Sequence, residues 1–62
     1  MNVEFTCEVI NRTDLAYLLN DGDSEEWIPK SQMSNENIFY KDGVEYIDFE
    51  IPEWLAKEKG LV

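Results

Sequence analysis

Chemistry in a 62-residue chain without histidine has to come from carboxylates, one thiol and a few hydroxyls. The densest carboxylate run is Asp21-Gly22-Asp23-Ser24-Glu25-Glu26, whose spacing superficially resembles a calcium loop. Such a loop needs glycine at its sixth position for the sharp bend and a bidentate acid at its twelfth. Those positions hold Glu26 and Gln32, so the run reads as an acidic turn. Carboxylate pairs such as Glu25 with Glu26, or Asp48 with Glu50, are the ordinary consequence of 14 acidic residues in so short a chain. An i, i+2 pair on a strand is a solvated face before it is an acid–base couple. Ser31 and Cys7 lack a histidine to activate them, and a lone cysteine can form neither an internal disulfide nor, without histidine, a zinc set. The expectation is a non-enzymatic protein with no catalytic residue, cofactor or metal.

Charge then sorts the possible partners. Fourteen acidic residues against five basic ones give a net charge of −9. Phosphate backbones are repelled by such a surface, so direct nucleic-acid binding is disfavoured. A field of this sign speeds encounter with a basic protein surface, including a protein's nucleic-acid-binding surface. Residues 1–29 hold seven carboxylates and only Arg12, while Lys30, Lys41, Lys57 and Lys59 come later. This places the acidic face mainly in the N-terminal half, with Asp21, Asp23, Glu25 and Glu26 as its candidate partner-binding residues.

The third recognisable piece is Glu26-Trp27-Ile28-Pro29-Lys30-Ser31-Gln32. Trp27 and Ile28 supply an anchor, Pro29 cannot donate to a ladder and ends the strand, and the polar tip turns the chain. Lys30, Ser31 and Gln32 therefore join the candidate partner-binding residues, because loops held by rigid elements often carry recognition.

The elements that must position these residues follow from periodicity. Val3, Phe5, Cys7 and Val9 alternate with Glu4, Thr6 and Glu8, which is the period of a strand with one buried face and makes Cys7 a small core residue. Asn11 to Asp14 breaks the pattern, Leu15 to Leu19 resumes it, and Asn20-Asp21-Gly22-Asp23 turns the chain into a strand at Glu25 to Ile28. Lys30 to Met33 is expected as a turn or short 3₁₀ segment and Ser34-Asn35-Glu36-Asn37 as a polar linker. Ile38 to Tyr40 and Val44 to Ile51 flank Lys41-Asp42-Gly43 as a hairpin, with Ile47, Phe49 and Ile51 inward and Asp48 and Glu50 toward water. From Pro52 the period becomes helical, with Pro52 at the first helical position, Glu53 at the positive end, Lys57 and Lys59 at the negative end, and Gly60 as a left-handed C′ residue letting Leu61 fold back on Ala56. Trp27 and Trp54 are assigned to core packing, since a chain this size buries only about 60% of its unfolded surface and relies on its largest side chains.

Residues 1–62 thus read as a single small domain, mainly β with a short C-terminal helix: a curled antiparallel sheet or Src-homology-3-like barrel of about five strands. The strand, proline, short-turn, strand arrangement at Trp27 to Met33 resembles the turn before the last strand of that barrel family, and an open sheet with the C-terminal helix packed across it is the competing architecture. No apolar run approaches the roughly 20 residues that span a bilayer, and Met1-Asn2-Val3-Glu4 is no secretory leader. The expected location is the cytoplasm, and the sequon Asn11-Arg12-Thr13 then carries no weight.

Ala16 to Gly22, Trp27-Ile28-Pro29-Lys30-Ser31-Gln32 and the segment Ile51 to Leu61 together resemble small bacteriophage and mobile-element proteins. That resemblance implies an intracellular accessory protein and carries no chemistry with it. The leading functional expectation is a protein that binds a basic partner through its acidic face, in its sharpest form an inhibitor of a nucleic-acid-binding enzyme by charge mimicry. One alternative is a module that binds single-stranded nucleic acid on a stacking platform of Tyr40, Tyr46 and Lys41. Another is a structural or assembly role.

Overall fold

A computed structural model describes all residues from Met1 to Val62. Five antiparallel strands form one sheet: β1 (Asn2–Arg12), β2 (Ala16–Asn20), β3 (Glu25–Pro29), β4 (Ser34–Lys41) and β5 (Val44–Pro52). A 3₁₀ turn, Lys30–Gln32, joins β3 to β4, and helix α1 (Glu53–Glu58) closes the chain. The strand order is β3-β2-β1-β5-β4, so β3 and β4 are the two edges. In a flat sheet these edges would stand roughly 19 Å apart, four strand spacings. Pro29 to Ser34 is five Cα-to-Cα steps, which reach at most about 17 Å fully extended and less through a 3₁₀ turn. The short connection is possible only because the sheet curls.

The curl is built into β1. Its first half, Asn2 to Glu8, pairs with β5, whereas Glu8 to Arg12 pairs with β2, and the register slips between Val9 and Asn11. A bulge bends a strand and increases its twist. One long strand thereby serves two half-sheets that fold over a shared core. That core is Cys7, Leu19, Ile28, Met33, Ile47, Phe49, Ile51, Leu55 and Ala56, with Phe5, Val9, Tyr17 and Leu61 packed around it. Phe5 lies opposite Phe49, their ring centroids 5.7 Å apart. The two edges are not hydrogen-bonded to each other, so of the two expected architectures the chain adopts the curled antiparallel sheet and not the closed barrel.

Local chemistry explains the turns. Thr13 Oγ1 accepts the amide protons of Leu15 and Ala16, and Thr13 N–H donates to the Ala16 carbonyl at 2.8 Å. This delays the first turn to residues 13–15, later than expected, and leaves Leu15 80% exposed instead of starting a strand. Asp42 and Gly43 both take positive φ, 53° and 80°, the signature of the tight type I′ hairpin predicted from Asp-Gly. At the C-terminus the Leu61 amide donates to Ala56 and the Gly60 amide to Lys57, with Gly60 at φ 74°. This is the expected left-handed cap with Leu61 folded back onto the core. Pro52 ends β5 and caps the helix from outside, one position earlier than predicted. The Glu53 amide donates to the Met1 carbonyl at 2.9 Å, which ties α1 to the start of β1.

Two packing expectations are corrected. Ser34 to Asn37 is strand, because pairing with β5 outweighs its weak intrinsic β preference, and Asn35 absorbs the irregularity at φ 53°. Trp27 and Trp54 are 41% and 59% exposed, and among the aromatics only Phe49 is fully buried. The interior between two small half-sheets has room for branched aliphatics and one ring, and Ile28, Ile47 and Ile51 take that room.

Candidate protein-interaction surface

The residues singled out in sequence do not form one site. Asn20 Oδ1 accepts the Gly22 amide, and Asp21 Oδ1 accepts the amides of Ser24 and Asp23 at 2.9 Å each. These bonds pull the Asp21 carboxyl below its ordinary pKa, the Ser24 amide contributing most. Asp21 is thus a turn-holding residue as much as a surface charge. Asp23 and Glu25 are exposed at the hairpin tip and start of β3. Glu26 lies opposite the buried Leu19, so alternation turns it to the inner side, away from Glu25. Lys30 sits 4.7 Å from the Tyr17 ring centroid, a cation–π contact, while Ser31 and Gln32 are exposed on the 3₁₀ turn. Arg12 lies 5.6 Å from the same ring and is hydrogen-bonded to Glu45, which raises its pKa further. Two of the five cations therefore gather at one mouth of the inner side.

The proposed nucleic-acid platform is likewise divided. Tyr46 lies opposite Phe39, and the two rings stack with centroids 5.5 Å apart and 19° between planes. Tyr40, one residue along, lies opposite Glu45 and points to the other face. The stacked pair on the outer face is Phe39 with Tyr46, which the sequence offers only as cross-strand neighbours of an Asp-Gly hairpin.

What register does bring together is the outer face of β1, β5 and β4. Glu4 lies opposite Glu50, Thr6 opposite Asp48, and Glu8 opposite Tyr46. Across the next ladder Asp48 meets Asn37 and Tyr46 meets Phe39. Thr6 Oγ1 donates to Asp48 Oδ1 at 2.5 Å, and Asn35 Nδ2 donates to Glu50 Oε2 at 2.7 Å. A shallow depression of about 350 Å³ is lined by Glu4, Phe5, Thr6, Asn35, Asp48, Phe49 and Glu50. A second, lined by Thr6, Phe39, Lys41 and Tyr46, meets it at Thr6. The face thus reads as one groove, acidic at one end and aromatic at the other, carried on paired strands.

This face draws its carboxylates from both ends of the chain and stands beside the acidic β2–β3 hairpin expected from the N-terminal half. Glu4 and Glu50 are 46 positions apart in sequence and become neighbours only through the β1–β5 ladder. The missed signal was the phase of β1: once Val3, Phe5 and Cys7 are inward, Glu4, Thr6 and Glu8 must share a face. No helix is long and apolar enough to cross a membrane. Comparison with protein-family models, curated proteins and solved structures returns no match.

Proposed function

We propose that this chain is a non-enzymatic accessory protein, of the kind carried by bacteriophages and mobile elements, that binds a basic protein surface through the outer face of β1 and β5. The observation that carries this reading is the juxtaposition of Glu4, Glu8, Asp48 and Glu50 on adjacent strands, with Glu4 directly opposite Glu50. Like charges placed opposite each other cost a sheet up to about 1 kcal/mol. A small domain that keeps such a pair beside an aromatic stack spends stability on a surface, and binding a cationic partner would recover it. In its sharpest form the partner is the nucleic-acid-binding surface of a host enzyme, which the carboxylates occupy in place of phosphates.

Affinity capture from the natural host with three baits tests the proposal: the wild-type chain, the outer-face reversal Glu4→Lys/Asp48→Lys/Glu50→Lys, and the hairpin reversal Asp23→Lys/Glu25→Lys. The expected result is a basic protein that elutes early in a salt gradient from the wild type and hairpin variant, and is lost from the outer-face variant. Retention by the outer-face variant with loss from the hairpin variant would move the site back to the β2–β3 tip. Equal retention by all three would remove charge as the basis of binding. The single-strand-binding alternative keeps only Phe39, Tyr46 and Lys41 on one face, beside four carboxylates that oppose a phosphate chain.

A further inference from the structure

The two sheet edges differ in how they are protected. Edge strand β3 is five residues long, opens with Glu25 and Glu26 and ends in Pro29, features that discourage another strand from pairing. Edge strand β4 is eight residues long, and its irregularity lies at its start, between Ser34 and Asn37. From Asn37 to Tyr40 it is regular and carries no charge. The type I′ turn at Asp42-Gly43 makes Lys41 and Val44 the closing hydrogen-bonded pair of the hairpin. By antiparallel alternation Phe39 and Asn37 also bond to β5, and the backbone groups of Ile38 and Tyr40 face away from the sheet. Ile38 is 37% exposed and Tyr40 69% exposed, both on the face opposite Phe39.

We infer that β4 is a strand-addition site for an extended, amphipathic basic segment of the partner protein. This rests on the basic-partner reading above and gives it a binding mode. A strand laid along β4 pairs its backbone with Ile38 and Tyr40, and its side chains alternate between faces. On the inner side they meet Ile38 and Tyr40, which calls for apolar residues. On the outer side they meet Asn37 and Phe39, with Asp48 and Tyr46 one strand spacing of about 4.8 Å beyond. An arginine beside Phe39 lies over the Phe39–Tyr46 stack, and one beside Asn37 reaches across it toward Asp48. Charge complementarity selects this occupant over a second copy of the chain, which itself carries a net charge of −9.

The probe is a capped octapeptide of alternating arginine and valine, compared by calorimetry with a peptide of the same composition in block order, four arginines then four valines. The alternating peptide is expected to bind roughly tenfold or more tightly than the block peptide and to slow amide exchange at Ile38 and Tyr40. Tyr40→Pro removes an edge amide that β5 does not use and is expected to abolish the difference between the peptides. Methylating alternate amides of the probe should do the same with the protein unaltered. Equal binding of both peptides with unchanged exchange at Ile38 and Tyr40 would overturn strand addition and leave the acidic-face reading standing. Absence of binding by either peptide at low salt would overturn both. A dimer by light scattering, with these two amides already protected in the free protein, would assign the edge to a second copy and overturn the inference.

Discussion

Glu4 and Glu50 face each other across the β1–β5 ladder, two carboxylates in register at the end of the sheet where α1 begins. Glu50 has a partner in the Asn35 side chain, so the repulsion is shared out and not removed. Next along the ladder, Asp48 takes the Thr6 hydroxyl in the same manner. The two outer-face acids of β5, Asp48 and Glu50, are thus each steered by a neutral donor, which fixes their direction without cancelling their charge. A sheet selected for stability alone would place lysine at one of these positions.

Replacing Glu4 by glutamine is therefore expected to stabilise the fold, by about 0.2–1 kcal/mol for relief of a like-charge cross-strand pair. In a domain this small that corresponds to a rise of roughly 1–8 °C in melting temperature. The same substitution should weaken binding to a basic partner. Thermal melts at low salt, paired with the captured partner's affinity, check both signs. A variant that is less stable as well as weaker would mean that Glu4 supports the sheet, which the register gives no reason to expect.

The core leaves little margin. Ile47 is fully buried between Cys7 on β1 and Ile38 on β4. Ile47→Ala removes buried methyl groups and leaves a cavity, at about 2–5 kcal/mol. At roughly 0.05–0.15 kcal/mol per residue, a 62-residue chain has only about 3–9 kcal/mol to lose. Urea unfolding should show the midpoint falling by about a fifth or more, with a broad or absent folded baseline at 37 °C.

The sequence made the strands legible because each rule involved is local. Alternation gave β1 and β5, Asp42-Gly43 gave the hairpin, Pro29 gave the end of β3, and Gly60 with Leu61 gave the helix cap. It did not reveal that β1 divides its pairing at Glu8, since that depends on a bulge between Val9 and Asn11 to which neither residue type points. The exposure of Trp27 and Trp54 was hidden for a related reason. Size argues for burial, but the volume between two half-sheets is set by their curvature, and isoleucines fill it first. Ser34 to Asn37 carries weak local preference, and only its ladder with β5 makes it a strand. The outer acidic face lies beyond local rules altogether, being a property of register between segments more than forty residues apart.

Burial should keep the Cys7 thiol inert. Loss of hydration in the core, reinforced by the negative charge of Asp21, raises its pKa from 9.0 to about 11. Because the folded state holds this proton more tightly than the unfolded state, the associated stability is complete below pH 9 and is lost as the pH climbs through about 11. A thiol reagent at pH 8 is expected to react slowly with the native protein and rapidly in denaturant. The stability difference between wild type and Cys7→Val should hold constant below pH 9 and shift against the wild type between pH 9 and 11, as urea midpoints will show.

Asp21 separates charge from architecture in the acidic hairpin. Its carboxylate accepts the Ser24 and Asp23 amides and is held below its ordinary pKa of 3.8 by those bonds, Ser24 first. A depressed pKa means that the stabilisation is present above pH 3.8 and disappears as the pH falls through the folded-state value. Asp21→Ala should therefore melt below the wild type at pH 7, with the gap narrowing in acid, and Asp21→Asn, which keeps an acceptor without the charge, should melt between the two. If the hairpin were the binding surface, Asp21→Asn would weaken partner affinity more than its small loss of stability explains. With the site on the outer face of β1 and β5, Asp21→Asn should leave affinity nearly unchanged, while Glu4→Gln lowers it in a protein that is more stable. Those two variants, measured side by side, decide which of the two acidic surfaces a partner reads.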